Sequence, residues 1–570
     1  MLLALISVAI FDTFLFSSPS HRIQVRQVNG RGELYDAQTG RAFVPRGSNY
    51  IQLSSLQTFD GTTITYHSTF NVGLYDSTKT ETDLARMQAD GYNMVRVFVQ
   101  GATVGSIPDP NGGLNSSYVA NVVDFLNRAK AHGIYVLITI DDPPKTAEYN
   151  NLFFAQCCAQ FAGTQLNFLT AGGLSANQKF WTDFINALIL QSAPLDAILA
   201  YELRNELSFD SSQLPFTMSS GTVATANGKT YDMAVTASRQ AMMDDNLVYF
   251  VDQNRTTIRL LDPTALVTVG FFQSQQPHPC RYGDPRIIQP YPAIANSSAD
   301  FVDLHPYPNV ELTMSEYADN FGMNGYNKQP VIMGEFGAFM NRYSSASDAA
   351  FGLQQWQYQS CAFNYAGWMV WTWDTGIQPD GALWNMIADS GRIEGVISPK
   401  FRTNPCSPLG FSTAKLDFGG WLIGSYSAPQ TITITNLAAI AIPFGTISVT
   451  GGHQLDDQCP ATLAAGASCN VNVRFRPTKA GSNAAALSVV DPTTTATFAV
   501  ALSGTGMETS VTPTRPSRPS RMSTASSSAT PAPITNARPQ RTGRSIAQPS
   551  QKASYAPSRP KNKMMASMPR

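Results

Sequence analysis

Apolar positions change their period along the chain. From about residue 22 to 405, short continuous apolar runs alternate with stretches of helical period. Leu84 and Met87 share a face of a helix expected over Asp83–Asp90, which Gly91 is suited to end. Met94–Val99 then reads as a buried strand. Val119, Val122, Val123 and Leu126 recur at i, i+3, i+4 and i+7 behind Ser117, a residue type that caps helix starts, and Gly133 precedes the next run, Ile134–Ile140. Further runs fall at Ile198–Leu203, Leu266–Phe271, Phe301–Leu304, Val331–Met333 and Gly367–Trp371, with Ala42–Arg46 at the front. Continuous runs mark strands covered on both faces, which means a parallel sheet. Eight strand–helix units over residues 22–405 predict an α/β fold, a (β/α)8 TIM barrel, with long insertions at 52–78, 142–180 and 208–260. An open doubly wound sheet would carry a Gly-rich phosphate turn after its first strand, and Arg46-Gly47-Ser48-Asn49-Tyr50 is not one.

From residue 408 to 506 the period becomes two. Ile432 and Ile434 point one way while Thr431, Thr433 and Thr435 point the other, and Val471, Val473, Phe475 and Phe498, Val500, Leu502 repeat the alternation. This segment is expected to be a small antiparallel β-sandwich. Residues 507–570 are rich in Ser, Pro, Arg and Thr with almost no large aliphatics, the composition of a disordered tail. Residues 1–20 resemble a signal peptide, although Asp12 interrupts the apolar stretch and no basic residue opens it. That feature predicts a secreted, cell-surface or periplasmic protein.

Composition sharpens this division. The chain of 570 residues is too long for one core. Its formal charge of −1 hides an asymmetry, because from residue 509 onward there is no Asp or Glu and there are 11 Lys and Arg. The remainder is therefore acidic, which argues against nucleic acid as its partner, while the basic tail suits solvent or an anionic cell surface. The 7 cysteines show no CxxC or Cys/His metal spacing, so no metal is expected. Cys459 and Cys469 are a candidate disulfide in an oxidising compartment.

In a TIM barrel, the polar residues at the C-terminal strand ends form the active site. Strand two carries Arg96, strand four runs into Asn205-Glu206, strand six into His305-Pro306-Tyr307, strand seven into Glu335, and strand eight into Trp371-Thr372-Trp373. Glycosidic cleavage needs two carboxyl groups, one to protonate the leaving oxygen and one to attack or to activate water. An Asn can bond the sugar 2-hydroxyl, and an Arg and a Tyr beside the nucleophile would keep its pKa low. Trp offers a flat apolar face to a sugar ring. Singly these residues have ordinary structural readings; their arrival at one barrel end from several strands is specific.

On these residues the segment from about 30 to 400 resembles the clan A glycoside hydrolases, most closely glycoside hydrolase family 5, the cellulase family. The resemblance implies Glu206 as acid/base, Glu335 as nucleophile, and Arg96, Asn205, His305, Tyr307, Trp371 and Trp373 as substrate-site residues. It implies a retaining mechanism, and the leading reading is an endo-β-glycanase acting on β-1,4-glucan or β-mannan; two carboxylates and stacking aromatics need no cofactor, and a monomer is expected. Leu207 stands where the family usually has Pro, Arg204 where smaller residues are usual, and Asp141-Asp142-Pro143-Pro144 where a His is usual. Residues 408–506, with Cys459-Pro-Ala-Thr-Leu-Ala-Ala-Gly-Ala-Ser-Cys469, resemble Ig-like domains of the abnormal-spindle/Hydin, or choice-of-anchor, type. That implies a spacer or cell-surface attachment. The rival functions are a non-catalytic glycan-binding surface protein on a degenerate barrel, and a transglycosylase.

Overall fold

The computed structural model describes residues 22–157, 159–272, 286–287, 290–308, 312–378, 381–443, 445–491 and 497–508. Residues 1–20, where a signal peptide is expected, Cys158, Cys280 and the residues beyond 508 lie outside them.

Eight barrel strands follow in chain order: β1 (Arg46–Asn49), β2 (Met94–Val99), β3 (Tyr135–Ile140), β4 (Ile198–Glu202), β5 (Leu266–Thr268 and Gly270–Phe272), β6 (Val302–His305), β7 (Val331–Phe336) and β8 (Tyr365–Val370). All neighbours pair in parallel, from β1 with β2 round to β8 with β1. β5 is interrupted at Val269; its first half pairs with β4 and its second with β6, which closes the ring. Every residue of β2, β3, β4 and β7 is buried, as continuous apolar runs require.

The first strand lies later than the pattern predicts. Ala42–Arg46 was the expected segment, but Arg46-Gly47-Ser48-Asn49 pairs with both neighbours. Its polar residues conceal it, and its close approach needs glycine: a Cβ on Gly47 would come 1.7 Å from the Met94 carbonyl oxygen. The helix expected over Asp83–Asp90 extends over Ser77–Ala89, where Asp76 caps the backbone N–H groups of Thr78 and Lys79. Asn115, rather than Ser117, caps the helix Ser116–Ala131. Val119, Val122, Phe125 and Leu126 of that helix are buried, each contributing about 1.5–3 kcal/mol of apolar burial.

Of the expected insertions, 52–78 forms a hairpin, Leu53–Gln57 with Thr63–His67. The other two are only partly loop, since the helices Ala171–Leu190 and Thr236–Leu261 occupy much of them. No helix among the described residues is long and apolar enough to cross a membrane.

Beyond the barrel, two four-stranded sheets share one apolar cluster built from Ile432, Ile434, Val471, Val473, Phe475, Phe498, Val500 and Leu502. One sheet is antiparallel throughout. The other corrects the wholly antiparallel expectation, because Lys415–Leu422 pairs in parallel with Thr497–Met507. Cys459 and Cys469 are bonded, and a second disulfide, Cys361–Cys406, ties the turn before β8 to the segment leading into the sheets. Gln354 holds the same junction with its side-chain amide, donating to the Phe411 carbonyl at 2.9 Å and accepting from its N–H at 3.0 Å.

Candidate active site

The chemistry gathers at the C-terminal ends of the barrel strands. Arg96, fully buried on β2, is its hub. Its Nε and one terminal nitrogen donate to the two carboxylate oxygens of Glu202 at 2.7 and 2.8 Å. The same nitrogen donates to Asn205 Oδ1 at 2.7 Å, and the other reaches Glu335 Oε1 at 2.6 Å and Asn49 Oδ1 at 2.9 Å. A guanidinium this deep stays charged because carboxylates face it on two sides.

Glu335, at the end of β7, also accepts from the Tyr307 hydroxyl at 2.8 Å. Its side chain is 5% exposed, whereas that of Glu206 is 26% exposed. Burial pushes the Glu335 carboxyl upward; His305, Arg96 and the Tyr307 hydrogen bond act in the opposite direction without cancelling it. The expectation that Arg96 and Tyr307 would hold this carboxyl low is therefore corrected: they limit the rise that burial imposes.

His305 lies between the two glutamates. Its Nδ1 is 3.1 Å from Glu206 Oε1 and 3.6 Å from Glu335 Oε2. One carboxylate oxygen of each glutamate and a His305 ring nitrogen all fall within 4.8 Å of one another. Burial opposes the imidazolium, but Glu335, Glu206 and Asp303 overcome it and raise His305 to about 9. The ring is completely buried, so His305 supports the carboxylates from beneath instead of lining the cleft. Arg96 is placed the same way.

Trp371 is partly exposed beside this cluster; its Nε1 donates to Gln378 Oε1 at 2.9 Å and its ring meets Phe98 edge-on at 5.8 Å. His67, from the 52–78 insertion, stacks on Phe98 at 4.2 Å, and burial lowers its pKa to about 4. Across the site, Tyr307 packs against Phe339 at 5.5 Å. Trp373 is a correction. It is fully buried, edge-on to Tyr92 at 6.3 Å in the barrel's main core, and touches no cleft. A cavity of about 1110 Å³ lies between the helix Ala346–Ser360 and the C-terminal sheets, and neither glutamate lines it.

The departures around Glu206 have structural reasons. Arg204 donates to Asp142 Oδ1 at 2.5 Å, and although burial works against the charge, Arg204 and Lys145 hold Asp142 down to about 2. Tyr66 donates to Asp141. Leu207 donates its backbone N–H to the Gly270 carbonyl at 3.0 Å, a bond that proline cannot make. Gly270 in turn donates to the Arg204 carbonyl at 3.0 Å, so the Asn205–Glu206 turn is laced to β5.

Sequence reasoning missed Glu202, Asp303 and Asn49. The first two had a signal: each is an acid inside an apolar barrel strand, where a charge is rarely buried without a partner. Asn49 was hidden in the misplaced first strand.

The solved structures similar to this chain are of low identity. An exo-β-1,4-mannosidase from Opitutaceae bacterium strain TAV5 is 16% identical over 70% of this chain and 65% of its own, with a TM-score of 0.43. This chain thus spans about two thirds of that protein's length. A family 5 mannosidase from Rhizomucor miehei is 14% identical over 65% of this chain and 91% of its own, with a TM-score of 0.39. A GH5_18 protein from Streptomyces cattleya, solved with Manβ1-4GlcNAc, is 12% identical over 67% and 86%, with a TM-score of 0.40. No curated protein sequence matches the chain. The family model for cellulase (glycosyl hydrolase family 5) matches residues 55–376. That span covers more than half of the sequence and holds every site residue described above except Asn49, and the chain belongs to glycosyl hydrolase family 5.

Proposed function

We propose that the protein hydrolyses β-linked polysaccharide, a β-1,4-glucan or β-mannan, with retention of configuration. The observation that carries this reading is the Glu206–Glu335 pair: their nearest carboxylate oxygens lie within 4.8 Å. Retaining glycosidases place their carboxyl groups about 5–5.5 Å apart, and inverting ones leave room for a water at about 6.5–9.5 Å.

The difference in exposure supports the division of roles. Glu335, buried and held at both oxygens by Arg96 and Tyr307, is oriented to attack the anomeric carbon. Glu206, the more exposed of the two, gives its proton to the departing glycosidic oxygen as that bond breaks. Glu206 then takes a proton from water, whose oxygen attacks the glycosyl–Glu335 ester and releases the carboxylate. Asn205, whose Oδ1 is occupied by Arg96, presents its amide N–H₂ to the sugar 2-hydroxyl. Trp371 stacks on the ring in the cleavage subsite. The disulfides Cys361–Cys406 and Cys459–Cys469 suit an oxidising, extracytoplasmic location. The C-terminal sheets serve as an Ig-like spacer or surface attachment.

Reducing-sugar release from cellulose, mannan, xylan and laminarin tests the proposal. Activity on cellulose or mannan, lost by several orders of magnitude in Glu335→Ala, is expected. Binding without hydrolysis across the panel would return the non-catalytic reading.

A further inference from the structure

Beneath the two glutamates lies a group the mechanism above does not use. Asp303 is fully buried on β6, two residues before His305 and on the same face of the strand. Neither of its carboxylate oxygens has a hydrogen-bond partner, and neither has His305 Nε2, 3.7 Å away. The fold makes room for this carboxylate: a Cβ on Gly334, the residue before Glu335, would come 1.9 Å from Asp303 Oδ1. A Cβ on Gly270 would likewise come 2.4 Å from Glu202 Oε1. Glycine leaves room beside a buried acid at both positions, and at Gly270 the Asn205 carbonyl oxygen stands closer still, at 2.1 Å.

The protonation of the ring follows from its neighbours. Nδ1 faces two carboxylates, both acceptors, so it carries a hydrogen. The axis between Nε2 and Asp303 must then hold at least one further proton, since a carboxylate and a bare ring nitrogen would otherwise oppose their lone pairs in a dry site. We propose that Asp303 is a positioning residue whose carboxylate, facing Nε2, keeps this second proton on the ring, so that His305 stays a cationic bridge between Glu206 and Glu335. The claim rests on the roles given above to those two glutamates.

The charges facing the pair agree. Glu202 on β4, Glu335 on β7 and Glu206 after β4 present carboxylates, against Arg96 on β2 as the one permanent cation among the described residues here. Tyr365 on β8, its buried hydroxyl also unpartnered, feels the Asp303 charge as well. Such an excess of buried negative charge favours retention of protons. Burial first, and Glu202 second, push Asp303 up to about 8.

The test is Asp303→Asn, nearly isosteric, in the full chain with selectively ¹⁵N-labelled histidine. The protein has 6 histidines, and the His305 signals are those lost in His305→Gln. The midpoint of the His305 imidazolium should fall by about one pH unit or more in Asp303→Asn. With the cation lost at lower pH, Glu206 should hold its proton longer, so the alkaline limb of the kcat/KM–pH profile should move upward by about half a unit. The acid limb should stay in place, because the ring is protonated there in both proteins. An unchanged midpoint, or an alkaline limb that does not move while kcat merely falls, would overturn the proposal. Full activity of Glu206→Gln on a substrate with a poor leaving group would instead refute the assignment of the glutamates, and the NMR midpoint would still judge Asp303 separately.

Discussion

Arg96 and Glu202 face each other with no exposure to solvent, joined by two side-by-side N–H···O bonds of 2.7 and 2.8 Å. Glu202 thereby fixes the guanidinium plane, and the plane fixes Glu335 and Asn205. Arg96→Lys keeps the charge but loses the fork, so kcat should fall about 100-fold while the fold survives. Glu202→Gln removes a buried counter-charge and should destabilise the protein by about 3–5 kcal/mol in denaturant titrations. A Glu202→Gln protein of normal stability would mean that Glu335 alone suffices to hold Arg96.

If Glu206 donates the proton, its loss should matter in proportion to how badly the leaving group needs one. Glu206→Ala should lose about 1000-fold on unactivated glycans and far less on an aryl glycoside with an acidic phenol. Azide should then rescue it and yield the β-glycosyl azide, whereas rescue of Glu335→Ala should yield the α-azide. The opposite anomers would exchange the two roles.

Two tryptophans separated by one residue should respond differently. Trp371→Ala should raise KM with little change in stability, since the ring is partly exposed beside the glutamates' end of the barrel. Trp373→Ala should cost about 3–5 kcal/mol of stability by opening a core cavity, with little direct effect on substrate binding. Equilibrium unfolding and Michaelis kinetics on both variants separate the cases.

The raised pKa values of His305 and Asp303 have a consequence for stability. The folded state keeps protons on this pair that the unfolded chain releases, so the stabilisation is complete below the ordinary values and is lost as pH climbs through about 8 and about 9. The melting temperature should fall between pH 6.5 and 9, and His305→Gln should flatten that fall. A melting temperature that rises over this interval would contradict the charge state described here.

Strands two to eight were legible because a parallel barrel strand is apolar on both faces, and that leaves a run no loop imitates. The first strand was not, because Ser48 and Asn49 are spent on hydrogen bonds inside the barrel, Arg46 on the Ile397 and Arg402 carbonyls, and its glycine on contact with β2. The strand-end residues were readable in kind but not in depth. Sequence spacing places Trp371 and Trp373 alike, and only the packing sends one to the cleft and the other against Tyr92. It also cannot show that Leu207 owes its position to one backbone bond with Gly270. Pairing direction in the C-terminal sheets was equally hidden, since alternation marks a half-buried strand whichever way its neighbour runs.

The central claim is that Glu206 and Glu335 act together by double displacement. It is tested most directly by ¹H NMR of the anomeric signals during the first minutes of hydrolysis of a soluble β-linked oligosaccharide. The account predicts that the β-anomer of the new reducing end forms first and mutarotates afterwards. An α-anomer formed first would contradict it, whatever the spacing of the two carboxylates.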